Sequence, residues 1–246
     1  MIQRMVTSAL FAGFAAGLFA ALLHFAFVQK LILLGEQYET GALTHFASGS
    51  DPADAAHNHA DPAQHTDGKA PAHGDHAAGE VSETVRNAWT VLFICLVYVA
   101  YSLILVAGFA LADHFGKRIT AREGLLWGIA GFAAFQLVPA MGLAPELPGT
   151  IAAELPLRQI WWWGTAGATA LGLAMIGYAR GIVPIVVALL LLAAPHVIGA
   201  PEVAQYGGVA PPELAATFAA RVLGVGLAVW ALLGWLAGYF WSSRTA

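Results

Sequence analysis

Long apolar stretches follow one another along almost the whole chain, each close to the roughly 20 residues a helix needs to cross about 30 Å of hydrocarbon. Six candidate spans are 5–34, 88–112, 124–143, 161–179, 182–197 and 217–241. The fifth is the shortest, and only Arg180 and Gly181 part it from the fourth. The two read either as a tight hairpin or as one interrupted element in a five-span protein. With 59% hydrophobic and 11% charged residues among 246, a water-soluble core has no use for so many apolar segments. The fold class that follows is all-α: a polytopic transmembrane helix bundle of five or six spans.

Arg4 precedes the first apolar stretch as in a secretory leader, but that stretch runs for about 30 residues with no A-x-A cleavage pattern after it. It therefore reads as a retained span. Positive charges are held on the cytoplasmic side during insertion. With the N-terminus inside, Arg4, Lys117, Arg118, Arg122, Arg180 and Arg244, six of the eleven Lys and Arg, are cytoplasmic. Thirteen of the fifteen acids fall on the other face, leaving only Asp113 and Glu123 inside. Such a face attracts cations. The expected setting is a bacterial inner membrane, with residues 1–34 as the first span, 35–87 as a His/Asp-rich flexible loop on the periplasmic or extracellular side, and 88–246 as the rest of the bundle.

Trp89 and Trp161 to Trp163 at outer span ends, and Tyr239 and Trp241 at an inner one, suit the headgroup level. Small residues recur every fourth position at Ala9, Gly13, Gly17 and Ala21, at Gly164, Ala168 and Gly172, and at Gly234 and Gly238, a spacing that lets helix backbones approach closely. The one cysteine, Cys95, has no disulfide partner in the chain and reads as a packing residue. No basic cluster points to nucleic acid.

Residues 57–80, "HNHADPAQHTDGKAPAHGDHAAGE", gather five histidines and three aspartates among Ala, Gly and Pro. Almost no large apolar side chain is present to offset the entropy of ordering this backbone, so a disordered loop is expected. Neutral imidazole binds divalent transition metals. His57/His59 and His73/His76 are close enough in a flexible chain to share an ion, with His65 between them and Asp61, Asp67 and Asp75 as oxygen donors. Metal capture is one reading; a merely solvated linker, or chelation without transport, is the other. The donor set does not choose cobalt over nickel, copper or zinc. Because imidazole must be neutral to bind, capture weakens below about pH 6.5.

Within the spans, His24 and His196 are polar groups that face either a cavity or a neighbouring helix, and both fall toward the outer half. Gln136 precedes Pro139, whose missing N–H leaves a carbonyl free to line a cavity. His114 beside Asp113 reads as an interfacial pair or an exit ligand. The outer segments "PAMGLAPELPG", "RQIWWWG" and "PHVIGAPE" carry Pro and Gly at a density that suggests rigid capping or re-entrant loops. Met141, Glu146 and Glu202 are accessory ligand candidates there, while Arg158 is expected to fix a loop carboxylate, Glu146 or Glu154.

The segments "LILLGEQYET", "LVPAMGLAPELPG", "LRQIWWWGTAGATALGLAM" and "PHVIGAPE" together give the chain a likeness to a known family over nearly its whole length, the histidine tract excepted. It resembles CbtA, the larger membrane subunit of a predicted cobalt uptake system. The resemblance implies cobalt transport linked to cobalamin supply, and a small one-span, histidine-containing membrane partner (CbtB-like). Glu36, Glu39, Pro139, Glu146, Arg158, Gln159, Trp161, Pro195 and His196 occupy its motif positions. Family members are described with five spans. Co2+, with Ni2+ or Zn2+ as alternatives, is then a transient passenger, and no tightly bound cofactor is expected.

No G-x-x-x-x-G-K-S/T loop occurs, so ATP is not hydrolysed by that route, and no Asp or Glu lies deep in a span for proton coupling. The membrane potential remains: a divalent cation moving inward through about 100 mV gains about 4.6 kcal/mol. Two other classes compete. A haem-binding or assembly subunit would use His24 and His196 as axial ligands from different spans and would show a Soret band. A metal-buffering scaffold would bind cobalt without moving it. Paired nucleophiles and bases with recognisable spacing are absent, so no enzymatic activity is expected.

Overall fold

The computed structural model describes residues 2–45, 82–203, 205 and 207–243. The tract histidines His57, His59, His65, His73 and His76 lie outside the described residues, as does Arg244. The described residues form six helices: α1 (Ile2–Glu39), α2 (Glu83–His114), α3 (Ala121–Ala140), α4 (Leu155–Tyr178), α5 (Ile182–Ile198) and α6 (Pro212–Ser242). By length and composition α1, α2, α3 and α6 can each cross a membrane; α5 is a shorter apolar helix of 17 residues.

Local chemistry explains the boundaries. The Ser82 hydroxyl accepts from the Val85 N–H at the start of α2. Thr120 and Glu123 cap α3 reciprocally, satisfying backbone donors that no turn precedes. Pro156 and Pro212 stand in the first turns of α4 and α6, where the missing N–H costs nothing. Between α4 and α5 the chain reverses at Gly181, whose φ of +98° suits a residue without a Cβ, so the tight hairpin is the observed arrangement.

Helix α1 is inverted relative to the helices of a water-soluble bundle. Along α1 the buried positions are small, Ala9, Ala12, Gly13, Ala16, Gly17 and Ala20, whereas Phe11, Phe14, Leu18 and Leu22 face outward. Lipid is as apolar as leucine, so large side chains gain nothing by turning inward, and small ones let backbones touch. A Cβ on Gly17 would come within 2.6 Å of Cys95 Cα, which is how the buried cysteine serves the α1–α2 seam. On the α3–α6 seam, a Cβ on Gly128 would lie 2.9 Å from Gly234 Cα. The third small-residue series works only in part: Gly172 faces Ala188 of α5, but Gly164 faces open space.

The α1–α2, α1–α6, α3–α6 and α4–α5 seams are antiparallel, while α2 meets α6 in parallel, so the helices alternate in direction along the chain. One end of the bundle gathers Arg4, Lys117, Arg118, Arg122 and Arg180; the other gathers Glu36, Glu39, Glu83, Glu146, Glu154, Glu202 and Glu213. We call these the basic and acidic ends. Helix α6 is central, lying against α1, α2 and α3, with Val229, Trp230, Leu233 and Ala237 buried and Trp230 stacked on Phe135. Helix α4 leans on α3, and among the helices α5 packs against α4 alone.

Candidate functional site: a polar chamber at the acidic end

Two helices that pack against α6 are irregular. In α1, residues His24–Val28 form a π-helical turn, with the Gln29 N–H reaching back to His24 O; in α3, Ala133–Leu137 form another, with the Val138 N–H reaching Ala133 O. Each widens its helix by one residue, a device common beside functional sites. In α3 the cause is near at hand, since Pro139 has no N–H to offer Phe135 O. Helix α6 runs between the two turns. Its Arg221 Nη1 donates to Phe27 O at 3.2 Å, and Gly226 faces the Gln136 amide, leaving no room there for a Cβ.

The α3 turn carries Gln136 into a cavity of about 370 Å³ between the end of α3, the start of α4, the segment after α3, and α6. Phe135, Trp162, Trp163, Val222 and Leu223 supply its apolar walls; Gln136, Glu146, Arg158 and Gln159 supply the polar ones. Arg158 Nη2 donates to Glu146 Oε2 at 2.7 Å, so the expected loop carboxylate is Glu146. Two polar atoms at this site are buried without a partner among the described residues, Gln136 Oε1 and Arg158 Nε. A buried unpaired acceptor costs about 1–3 kcal/mol, so Gln136 Oε1 is a ready oxygen donor for an incoming cation or its water.

A second cavity of about 470 Å³ lies beside the first, lined by residues 142–147, 150–151, 153 and 200–203, and by Ala215, Ala216 and Ala219 of α6. Glu202 and Glu146 are its carboxylates. The segment over both cavities is anchored rather than loose: Gly149 adopts φ +76° against the Glu39 side chain, Thr150 and Gly208 form an isolated bridge, and the Ile151 N–H donates to Gly207 O at 3.2 Å. Leu147 is buried in a small cluster with Val28 and Phe218.

Of the expected site residues, the fold therefore brings Glu146, Arg158 and Gln159 together and sets Glu202 next door. Glu36 and Glu39 are exposed on the last turns of α1, and Met141 is exposed at the end of α3. His24 lies half-buried in the α1 π turn with Phe25 edge-on to its ring. His196 is exposed at the end of α5, with its ring edge-on to Trp161, whose Nε1 donates to Pro195 O at 3.2 Å. Since α5 packs only on α4 and α1 packs on α2 and α6, the two histidines lie on helices that do not pack against each other. Among the described residues no three His, Cys, Asp or Glu side chains converge as a metal cluster. The polar groups that the chamber does bring together are the Gln136 and Gln159 amides and the Glu146–Arg158 pair. Sequence reasoning overlooked Arg221, although a lone cation inside the last apolar span is the signal by which it stands out.

Neither a curated protein nor a solved structure matches the chain. Residues 2–242 match the family described as "Probable cobalt transporter subunit (CbtA)". With apolar helices of this length running in alternate directions, the chain is a multi-pass membrane protein, and it belongs to the CbtA family of probable cobalt transporter subunits.

Proposed function

We propose that the chain is the membrane-embedded subunit of a cobalt uptake system and that the chamber around Gln136 is part of the ion's path. The acidic end faces the periplasm or the exterior of a bacterial inner membrane, as the distribution of Lys and Arg favours. The histidine tract, which joins α1 to α2 at that end, collects the divalent ion through His57, His59, His65, His73 and His76. Glu36, Glu39 and Glu202 add negative charge around the approach, and His24 and His196 act separately, His196 as a ligand at the rim. A small one-span, histidine-containing membrane partner completes the system.

The observation that supports this reading is the Gln136 amide oxygen, on a π turn, buried without a partner among the described residues and lining the same cavity as the Glu146 carboxylate at the acidic end. Oxygen donors hold cobalt less tightly than a cage of imidazoles does, and a transport path needs release as much as capture. Radioactive cobalt uptake by cells expressing the chain and its partner tests the reading. Wild type is expected to accumulate cobalt and Gln136→Leu to lose most of that accumulation at unchanged membrane abundance. Equal uptake by the two proteins would remove the chamber from the path.

A further inference from the structure

The chamber and its neighbouring cavity have a common wall. Leu143, Ala144, Pro145 and Glu146 line both, so one short segment separates the two spaces, and the Glu146–Arg158 pair stands at that partition. Among the described residues Arg158 is the only cationic one lining either space; the second cavity, which meets α6 nearer its start at the acidic end, is the outer of the two, and Glu202 is its other carboxylate.

The pair is not built as a rigid brace. A guanidinium locked to a carboxylate uses two parallel N–H groups. Here Nη2 alone meets Glu146, and Nε is buried without a partner among the described residues. Both side chains retain solvent access, 26% for Arg158 and 31% for Glu146. The carboxylate is thus held by a cation that an ion entering the outer cavity can compete with.

We propose that Arg158 is a resident counter-ion on Glu146, displaced by a divalent cation and by no monovalent one. An ion of charge two gains twice the Coulomb energy of the guanidinium on the same carboxylate; potassium or sodium gains no more than Arg158 already supplies. Glu202 offsets part of the extra positive charge on the outer side, and the displaced guanidinium repels the ion onward to Gln136 Oε1. The partition is thereby a valence filter, which makes Arg158 a specificity-determining residue acting through Glu146. This inference rests on the chamber being on the cobalt path.

Initial rates of radioactive cobalt uptake test it in cells expressing the full chain with its partner, for wild type, Arg158→Gln, Glu146→Gln and the double variant. Removing a competing charge at this distance is expected to lower the KM of Arg158→Gln about tenfold, and removing the carboxylate to raise that of Glu146→Gln by about as much. The double variant is expected to match Glu146→Gln, since Arg158 acts only through the carboxylate. External potassium is expected to inhibit Arg158→Gln and not wild type. Arg158→Lys keeps the charge and is expected to keep the wild-type KM. A brace-only role predicts less membrane-inserted protein for both Arg158 variants with KM unchanged, and that result overturns the inference. So does a KM decrease that persists when Glu146 is absent. Absence of cobalt uptake by wild type overturns the underlying functional reading instead, and the inference falls with it.

Discussion

Arg4 lies over the indole of Trp241, its guanidinium carbon 3.9 Å from the ring centroid, while its Nη2 and Nε donate to the Trp241 carbonyl at 2.6 and 3.1 Å. The first and last helices are joined at the basic end by this contact. Because the ring and the carbonyl belong to one residue, the two attractions can be separated: Trp241→Ala removes the ring and spares the carbonyl. Arg4→Ala is expected to lower stability by about 1–3 kcal/mol. The coupling between Arg4→Ala and Trp241→Ala is expected to be about 0.5–2 kcal/mol, the cation–π part alone, read from thermal melts of purified protein in detergent.

Two glycines of similar burial are expected to behave differently when replaced. A side chain at Gly128 meets the backbone of α6 at Gly234, which cannot yield, whereas a methyl at Gly226 meets the Gln136 amide, which can swing away. Gly128→Val therefore costs about 1–3 kcal/mol and depletes the folded protein in membranes. Gly226→Ala leaves the melting transition near wild type but drives the Gln136 oxygen out of place, and cobalt uptake falls. Loss of the fold in Gly226→Ala with uptake preserved per folded molecule would contradict the assignment of Gln136.

The histidine tract is expected to matter only when metal is scarce. Deleting residues 51–78 lowers uptake from dilute cobalt and spares it at high cobalt, while His196→Ala lowers both. Imidazole binds metal when neutral, so the tract's contribution is present above its ordinary pKa of about 6.5 and is lost as pH falls through that value. Comparing wild type and the deletion in dilute cobalt at rising acidity checks the sign: their rates should converge. A gap that widened on acidification would assign capture to groups other than histidine.

Uptake is expected to follow the membrane potential. An inside-negative potential of about 100 mV favours inward movement of a divalent ion by about 4.6 kcal/mol, roughly three orders of magnitude in the accumulation ratio at equilibrium. Vesicles containing the chain and its partner, with a potassium diffusion potential set by an ionophore, should accumulate cobalt when negative inside and merely equilibrate at zero potential. Equal accumulation under both conditions would require a different energy source.

What could be read without coordinates has a physical pattern. Gly13, Gly17, Gly234 and Gly238 revealed their seams because spacing along a helix fixes which residues share a face. Arg158 was traceable to Glu146 because a cation among Pro-stiffened carboxylates has few places to go, and Gln136 stood out by its nearness to Pro139. The same spacing rule misled at Gly164, which faces no neighbour, since a small-residue series records the chance to pack and not the presence of a partner. Two relationships between distant parts of the chain had no local signature. Arg221 meets Phe27 across 194 positions, and the common wall of the two cavities depends on how three separate segments meet. The π turns were equally hidden, since one surplus residue leaves an apolar run looking as apolar as before.

That surplus residue sets an angular offset. An α-helix advances about 100° per residue, so everything after Leu137 is rotated by roughly that angle from where an unbroken α3 would have put it. Gly124 and Gly128 ahead of the turn keep their faces to α6, while the segment carrying Pro139 and leading to Glu146 is aimed by the offset. Removing a single residue within Ala133–Leu137 would mend the helix and misdirect the partition, damage that no substitution could imitate, because the site is held by a phase as much as by its side chains.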